Sequence, residues 1–176
     1  MAFSLPSITD ITKLVGVLVT LGGLYAAWRR RKRDRALKAL SIAEQLERHA
    51  QSCASIRDDN AAAPLDQEGG YAYSLPLLPT AMETGHADAD RALVPRYRDL
   101  ARHVINVNTA IAQTPDDDVG DSFGILEGHA DETAVRAWQL ADAYRARFGL
   151  PSPQLGGREA RIRTAAFERV AAPAAA

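Results

Sequence analysis

The chain has few of the residues on which common catalytic and metal sites depend. Cys53 is the single cysteine among 176 residues, which excludes an internal disulfide and any zinc site built from several thiolates. No G-x-S-x-G sequence is present, and the three glycine pairs lack the lysine and the strand context of a phosphate-binding loop. Aromatic residues make up only 6% of the chain, while alanine and arginine are abundant, which favours a mostly helical protein.

The charge is unevenly distributed, although the whole chain carries a net charge of -1. Residues 29–38 contain seven cations and one carboxylate, a net charge of +6, and the charges of residues 1–28 cancel, so residues 39–176 sum to -7. The cations are Arg29, Arg30, Arg31, Lys32, Arg33, Arg35 and Lys38. Because a nucleic-acid-binding domain is usually basic across a whole face, the acidic remainder argues against that function.

An apolar run, LVGVLVTLGGLYAAW, occupies residues 14–28 and contains no charge. As a helix it would reach only about 22 Å, whereas an extension back to Ile8 reaches about 31 Å and includes Asp10 and Lys13. Those two charges lie three residues apart and can pair on one helix face. We therefore expect residues 8–28 to form a transmembrane anchor after an N-terminal tail of residues 1–7. A cleaved signal peptide would carry its cations before the apolar run, and here they follow it.

The cations that follow this run predict its orientation, because basic residues next to a membrane span stay on the cytoplasmic side. The sequence thus predicts a single-pass protein of the bacterial inner membrane, with its N-terminus outside and its C-terminus in the cytoplasm. Residues 29–38 form a basic juxtamembrane collar against anionic lipid headgroups, and Tyr25 and Trp28 are expected at the membrane interface. Small residues four apart predict helix–helix contact in the membrane and hence self-association; the pairs are Gly16 with Thr20, Gly22 with Ala26, and Gly23 with Ala27.

The rest of the chain shows three stretches with apolar residues at three- and four-residue steps. These predicted amphipathic helices span residues 35–58, 95–113 and 131–148. No proline or glycine interrupts the chain between Trp28 and Asn60, so the anchor and the first of these helices can be continuous. The fold class is accordingly all-α, with a small antiparallel, coiled-coil-like bundle of about three helices behind the transmembrane helix.

The bundle is expected to fill a cytoplasmic body of residues 35–152. Residues 61–90 form a long connection containing proline and glycine, whose apolar residues, such as Leu75, predict an extended segment that covers part of the core. The tail of residues 153–176 is expected to be partly disordered, with a weak amphipathic helix over 158–170.

Three groups of residues have the composition of a metal or catalytic site. Glu83, His86 and Asp88 have metal-like spacing but lie in a loop and include one histidine, so solvated charges are favoured. Residues 116–127 resemble a calcium loop, yet glycine falls where a ligand is needed, and an acidic loop is expected. His49 precedes Cys53 by four residues, which allows a thiol–imidazole dyad, but core packing is the favoured role of Cys53.

The stretches ALSIAEQLERHAQSCASIRDDN, YSLPLLP and VRAWQLADAYRARFGLP together resemble small bacterial single-pass membrane proteins with a cytoplasmic helical body. The resemblance covers about residues 10 to 152. It implies the architecture described above and gives no indication of an activity.

These observations predict a membrane-tethered, non-enzymatic interaction or accessory module. We expect no catalytic residue, no metal and no cofactor. The expected partners are the lipid bilayer and its anionic headgroups, an unidentified protein and a second copy of the chain, with nucleic acid disfavoured. Two alternatives stay open: a membrane-anchored enzyme that depends on a metal or a thiol, and a nucleic-acid binder that acts through residues 29–38.

Overall fold

The computed structural model describes residues 8–62, 72–79, 89–113 and 119–172, and the side chains at all of these positions except 8–19 and 119–123. Within these residues the chain forms four helices and no strand. The helices are α1 (Ile8–Ala62), α2 (Val94–Ala112), α3 (Val119–Phe148) and α4 (Gly157–Ala171). The predicted all-α helical bundle is confirmed.

Helix α1 is one uninterrupted helix of 55 residues, so the predicted anchor and the first helix of the body are continuous. At the usual helical rise it is about 82 Å long. Its C-terminal part, from Ala39 onwards, contributes buried side chains to the core. Residues 20–35, in contrast, are all exposed. We call residues 20–38 the stalk and residues 39–172 the body.

The predicted transmembrane anchor over residues 8–28 is wrong. Among the helices in the described part of the chain, none combines the length and the apolar character needed to cross a bilayer. The physical reason lies in the charges at both ends of the apolar run: its 15 residues reach only about 22 Å of a hydrocarbon core of roughly 30 Å. The missing length would have to come from Asp10 and Lys13, whose burial in lipid is costly. The predicted single-pass topology and inner-membrane localisation are wrong for the same reason.

The core of the body is built around α1 and α3, which run antiparallel. Arg145, near the end of α3, contacts Glu47, whereas Glu127, near its start, lies 3.3 Å from Arg57 further along α1. Helices α2 and α4 pack against α3, and α4 also contacts α1. The largest fully buried side chains come from α1, the long connection, α2 and α3: Ile42, Leu46, Leu75, Val104, Leu126, Trp138, Leu140 and Tyr144.

Part of the long connection lies on the helices and covers part of the core, as expected. The Leu75 side chain is buried, and Asn108 of α2 accepts a hydrogen bond from the Leu75 amide (2.8 Å) and donates one to its carbonyl (3.0 Å). The Asn60 carboxamide accepts a bond from the Ala72 amide at 2.8 Å. Side-chain amides thus satisfy backbone groups of this segment, which joins no sheet within the described residues.

Helix α3 begins at Val119, twelve residues before the predicted start, so most of the expected acidic loop is helical. Leu126 and Ala130 are buried and extend the apolar stripe of Ala134 and Trp138 by two turns. The carboxylates of this part of α3 are paired with arginines, which removes the repulsion that favoured a loop: Glu127 with Arg57, Asp131 with Arg169, and Glu132 with Arg136.

Helix α4 forms where a weak amphipathic helix is predicted and is closely packed. Ile162 and Ala166 are buried, and the Trp138 and Phe167 rings stack at 6.1 Å. The Gly156 amide donates to the Glu159 carboxylate at 2.8 Å and caps the first turn. Two short bonds of 2.7 Å from the Arg169 guanidinium to the buried Asp131 carboxylate tie its last turn to α3.

Candidate functional site

The stalk continues the packing face of α1 beyond the body. In the body this face carries buried residues at helical spacing, among them Ala39, Ile42, Ala43 and Leu46. Counted back by three or four residues at a time, the same face carries Ala36, Lys32, Trp28, Leu24 with Tyr25, and Leu21. Helix α3, which covers the face in the body, ends at Phe148.

Several large apolar side chains of the stalk are therefore exposed. Leu21, Leu24, Tyr25 and Trp28 retain 57 to 64% of their accessible surface, whereas the corresponding residues of the body retain almost none. Such a continuous apolar stripe, flanked by charge, is typical of a surface that another molecule covers.

A notch of about 580 Å³ lies where the stalk leaves the body. Its walls are the stalk and the C-terminal end of α3. It is lined by Trp28, Arg31, Lys32, Arg35, Ala36, Arg147 and Phe148. The ammonium group of Lys32 lies 5.6 Å from the centre of the Trp28 ring, and Tyr25 lies beside Trp28 with ring centres 5.9 Å apart.

The notch carries unbalanced positive charge. Arg147 is paired with the Asp90 carboxylate at 2.8 Å. No carboxylate of the described residues lies within ion-pair distance of Arg31, Lys32 or Arg35. Aromatic rings beside arginines with unused donors form a surface suited to an anion that also presents apolar groups.

His49 and Cys53 meet as the spacing predicts, but in a form unsuited to catalysis. The thiol sulfur lies 3.6 Å from the His49 Nε2 atom, and both residues are buried. Burial lowers the pKa of His49 to about 4 and raises the pKa of Cys53 to about 12. Both groups are thus neutral at pH 7, and a neutral, buried thiol is a poor nucleophile.

A second polar cluster was not anticipated from the sequence. His103 of α2 meets His129 and Glu132 of α3, with potential ligand atoms within 4.8 Å of one another. The spacing of His129 and Glu132, three residues apart, was a usable signal, but His129 lay before the predicted start of the helix at residue 131. His103 could not be assigned to it because the pairing of α2 with α3 is a tertiary contact.

The other predicted site residues have the following positions. All seven basic residues between Arg29 and Lys38 are exposed on the stalk. The stalk also exposes Thr20, Gly22, Gly23, Ala26 and Ala27. The contact within the membrane that was predicted for them and for Gly16 depended on the transmembrane anchor, which is wrong. Glu83, His86 and Asp88 lie outside the described residues.

Comparison of the chain with protein-family models, curated proteins and solved structures found no match. The resemblance to small bacterial membrane proteins stays a prediction. The function is therefore argued from the geometry of this chain alone.

Proposed function

We propose that this protein is a non-enzymatic interaction module whose stalk and notch bind an acidic, amphipathic helical segment of a partner protein. The observation that carries the proposal is the continuation of the α1 packing face beyond the end of α3. In the body this face binds a helix, α3, along its length. The exposed stripe from Leu21 to Trp28 has the same spacing and suits a second helix in the same groove.

Charge complementarity supports an acidic partner. Residues 29–38 carry a net charge of +6, and Arg31, Lys32 and Arg35 of the notch form no ion pair with a carboxylate of the described residues. A partner with carboxylates next to its apolar stripe would pair with them, and such complementarity accelerates association and selects the partner. A second copy aligned in parallel would place like charges side by side, which argues against parallel pairing through the stalk.

The composition of the surface supports a protein partner. Tryptophan, tyrosine and arginine are the residues most enriched at the energetic centres of protein interfaces, and Tyr25, Trp28, Arg31 and Arg35 lie together here. The notch is concave, with Arg147 and Phe148 on its second wall, whereas a flat lipid surface would contact one flank of the stalk only. Nucleic acid is disfavoured by the net charge of -7 over residues 39–176.

Trp28 provides a direct test. The two tryptophans differ in environment, since Trp28 is 57% exposed and Trp138 is 1% exposed, so a change in emission on binding reports Trp28. A designed helical peptide of about 20 residues with alternating leucine and glutamate faces serves as the probe. We expect a blue shift that saturates, weakens with salt and is absent in Trp28→Phe. A scrambled peptide of the same composition should produce no shift.

A charge-reversal pair supplies the matched control. The double variant Arg31→Glu with Arg35→Glu should lower the affinity for the peptide by at least about tenfold, because two attractive ion pairs become repulsive. Arg98→Glu with Arg161→Glu changes the net charge equally at two exposed positions of the body and should change the affinity less than about twofold. Equal losses in both variants would refute the proposal. A Trp28 response to anionic vesicles, to oligonucleotide or to protein concentration, without one to the peptide, would assign the surface to lipid, nucleic acid or self-association instead.

A further inference from the structure

The histidine–carboxylate cluster between α2 and α3 has the composition of a transition-metal site. His103 comes from α2, and His129 and Glu132 lie one turn apart on the facing side of α3. The Glu132 Oε2 atom lies 3.5 Å from His129 Nδ1 and 4.0 Å from His103 Nε2. Two imidazoles and one carboxylate, with a fourth position open to solvent, are a donor set that suits Zn²⁺ and similar divalent ions.

His103 points to a ligand that the protein itself does not supply. Its Nε2 atom is buried and has no hydrogen-bond partner among the described residues. A buried polar atom without a partner is costly and uncommon, so it calls for an explanation such as an unseen ion.

Glu132 is held in a position that leaves one oxygen available. Its Oε1 atom accepts a hydrogen bond from Arg136, while Oε2 faces both histidines. Burial raises the pKa of Glu132, but the charge and the hydrogen bond of Arg136 outweigh burial, and the pKa falls below its usual value. The carboxylate is thus ionised at neutral pH, and Arg136 acts as the outer partner that ligating carboxylates usually have.

The three donor atoms lie within 4.8 Å of one another, and two of their separations are close to those around a bound ion. Metal–ligand bonds of about 2.1 Å at tetrahedral angles place ligand atoms about 3.4 Å apart. The His129–Glu132 separation of 3.5 Å already meets this value, and the 4.0 Å separation of His103 from Glu132 is within a small side-chain rotation of it. The His129 and Glu132 side chains are 41 and 37% exposed, so the fourth position is accessible to water.

We propose that His103, His129 and Glu132 bind one Zn²⁺-class divalent metal ion, which links α2 to α3. Arg136 offsets part of the carboxylate charge, so the expected affinity is micromolar. The bound ion would join helices that otherwise meet through apolar side chains such as Val104 and Leu140, and it would thereby raise the stability of the body. This inference is independent of the stalk.

The test uses the full chain, stripped of metal with a chelator and titrated with ZnCl₂ and CoCl₂. We expect one Zn²⁺ per chain by calorimetry, a higher melting temperature with Zn²⁺, and Co²⁺ absorption in the visible range typical of four-coordinate nitrogen and oxygen ligands. His129→Ala is the primary variant because its side chain is 41% exposed, so its removal should perturb the packing of the body little. This variant should lower the affinity for Zn²⁺ by more than about tenfold and abolish the Co²⁺ band. Glu132→Gln should have the same effects.

His86→Ala is the control, because His86 belongs to the other metal-like group in the sequence. It should leave the affinity and the Co²⁺ spectrum unchanged. Binding that survives His129→Ala and is lost in His86→Ala would overturn the proposal. So would Zn²⁺ binding with no preferred stoichiometry and an octahedral Co²⁺ spectrum, which indicates an adventitious ion only.

Discussion

Replacement of His49 by leucine should flatten the dependence of stability on acid pH. His49 is 7% exposed on the core face of α1, and burial lowers its pKa from an ordinary value of 6.5 to about 4. Below pH 6.5 the unfolded chain binds a proton at this residue, while the folded chain does not until about pH 4. The unfolded state therefore gains protons first, and the free energy of unfolding decreases as the pH falls through this window.

The magnitude follows from the two pKa values. Their difference corresponds to about 3 kcal/mol in total, of which about 2 kcal/mol is lost between pH 7 and pH 5. Urea unfolding of the wild type and of His49→Leu at several pH values measures this loss of unfolding free energy. The contributions from other groups are common to both proteins and cancel in the difference. We expect the curves to diverge by about 2 kcal/mol over that interval. Parallel curves would show that His49 is hydrated in the folded protein and would refute the buried, neutral pair with Cys53.

Three further outcomes follow from the body. Cys53, whose pKa burial raises to about 12, should resist a small thiol reagent in the native protein at pH 7 and react fully in urea; rapid native labelling would revive the thiol-enzyme alternative. Arg145→Ala leaves Glu47, whose side chain is 14% exposed, without its partner and should lower the free energy of unfolding by up to about 3 kcal/mol in urea titrations, with Arg158→Ala as the exposed control. Asn108→Leu leaves the Leu75 amide and carbonyl without bonds and should cost about 2 kcal/mol, seen also as faster amide exchange at residues 72–79; unchanged exchange would show that the side-chain clamp is unimportant.

Local pattern alone was sufficient to predict most of the helical body. Helical periodicity marks the apolar stripe of α1, which includes Ile42, Leu46 and Cys53, and the stripe of α2 that includes Val104. Both stripes are buried, as the periodicity indicates. The beginning of α3 was not predictable in this way, because the four carboxylates and three glycines of residues 119–132 favour a loop locally. Arg57 and Arg169, which neutralise Glu127 and Asp131, come from distant parts of the chain.

The stalk shows the limit of composition as a guide. An apolar run next to a cluster of cations resembles a membrane anchor, but the charges of Asp10 and Lys13 leave it too short. Only the structure shows that the exposed apolar side chains share the face that packs on α3. The notch was equally beyond sequence reasoning, since Arg147 and Phe148 reach Trp28 through the antiparallel pairing of α1 and α3.

The central claim is that an acidic partner segment occupies the notch between the stalk and the end of α3. The most direct measurement is paramagnetic broadening of backbone amide signals by a spin-labelled acidic helical peptide bound to the isotopically labelled full chain. The account predicts strong broadening for residues 24–36 together with Arg147 and Phe148, and none around Arg98. Broadening confined to the stalk, with Arg147 and Phe148 unaffected, or spread evenly over the basic residues of the body, would contradict it.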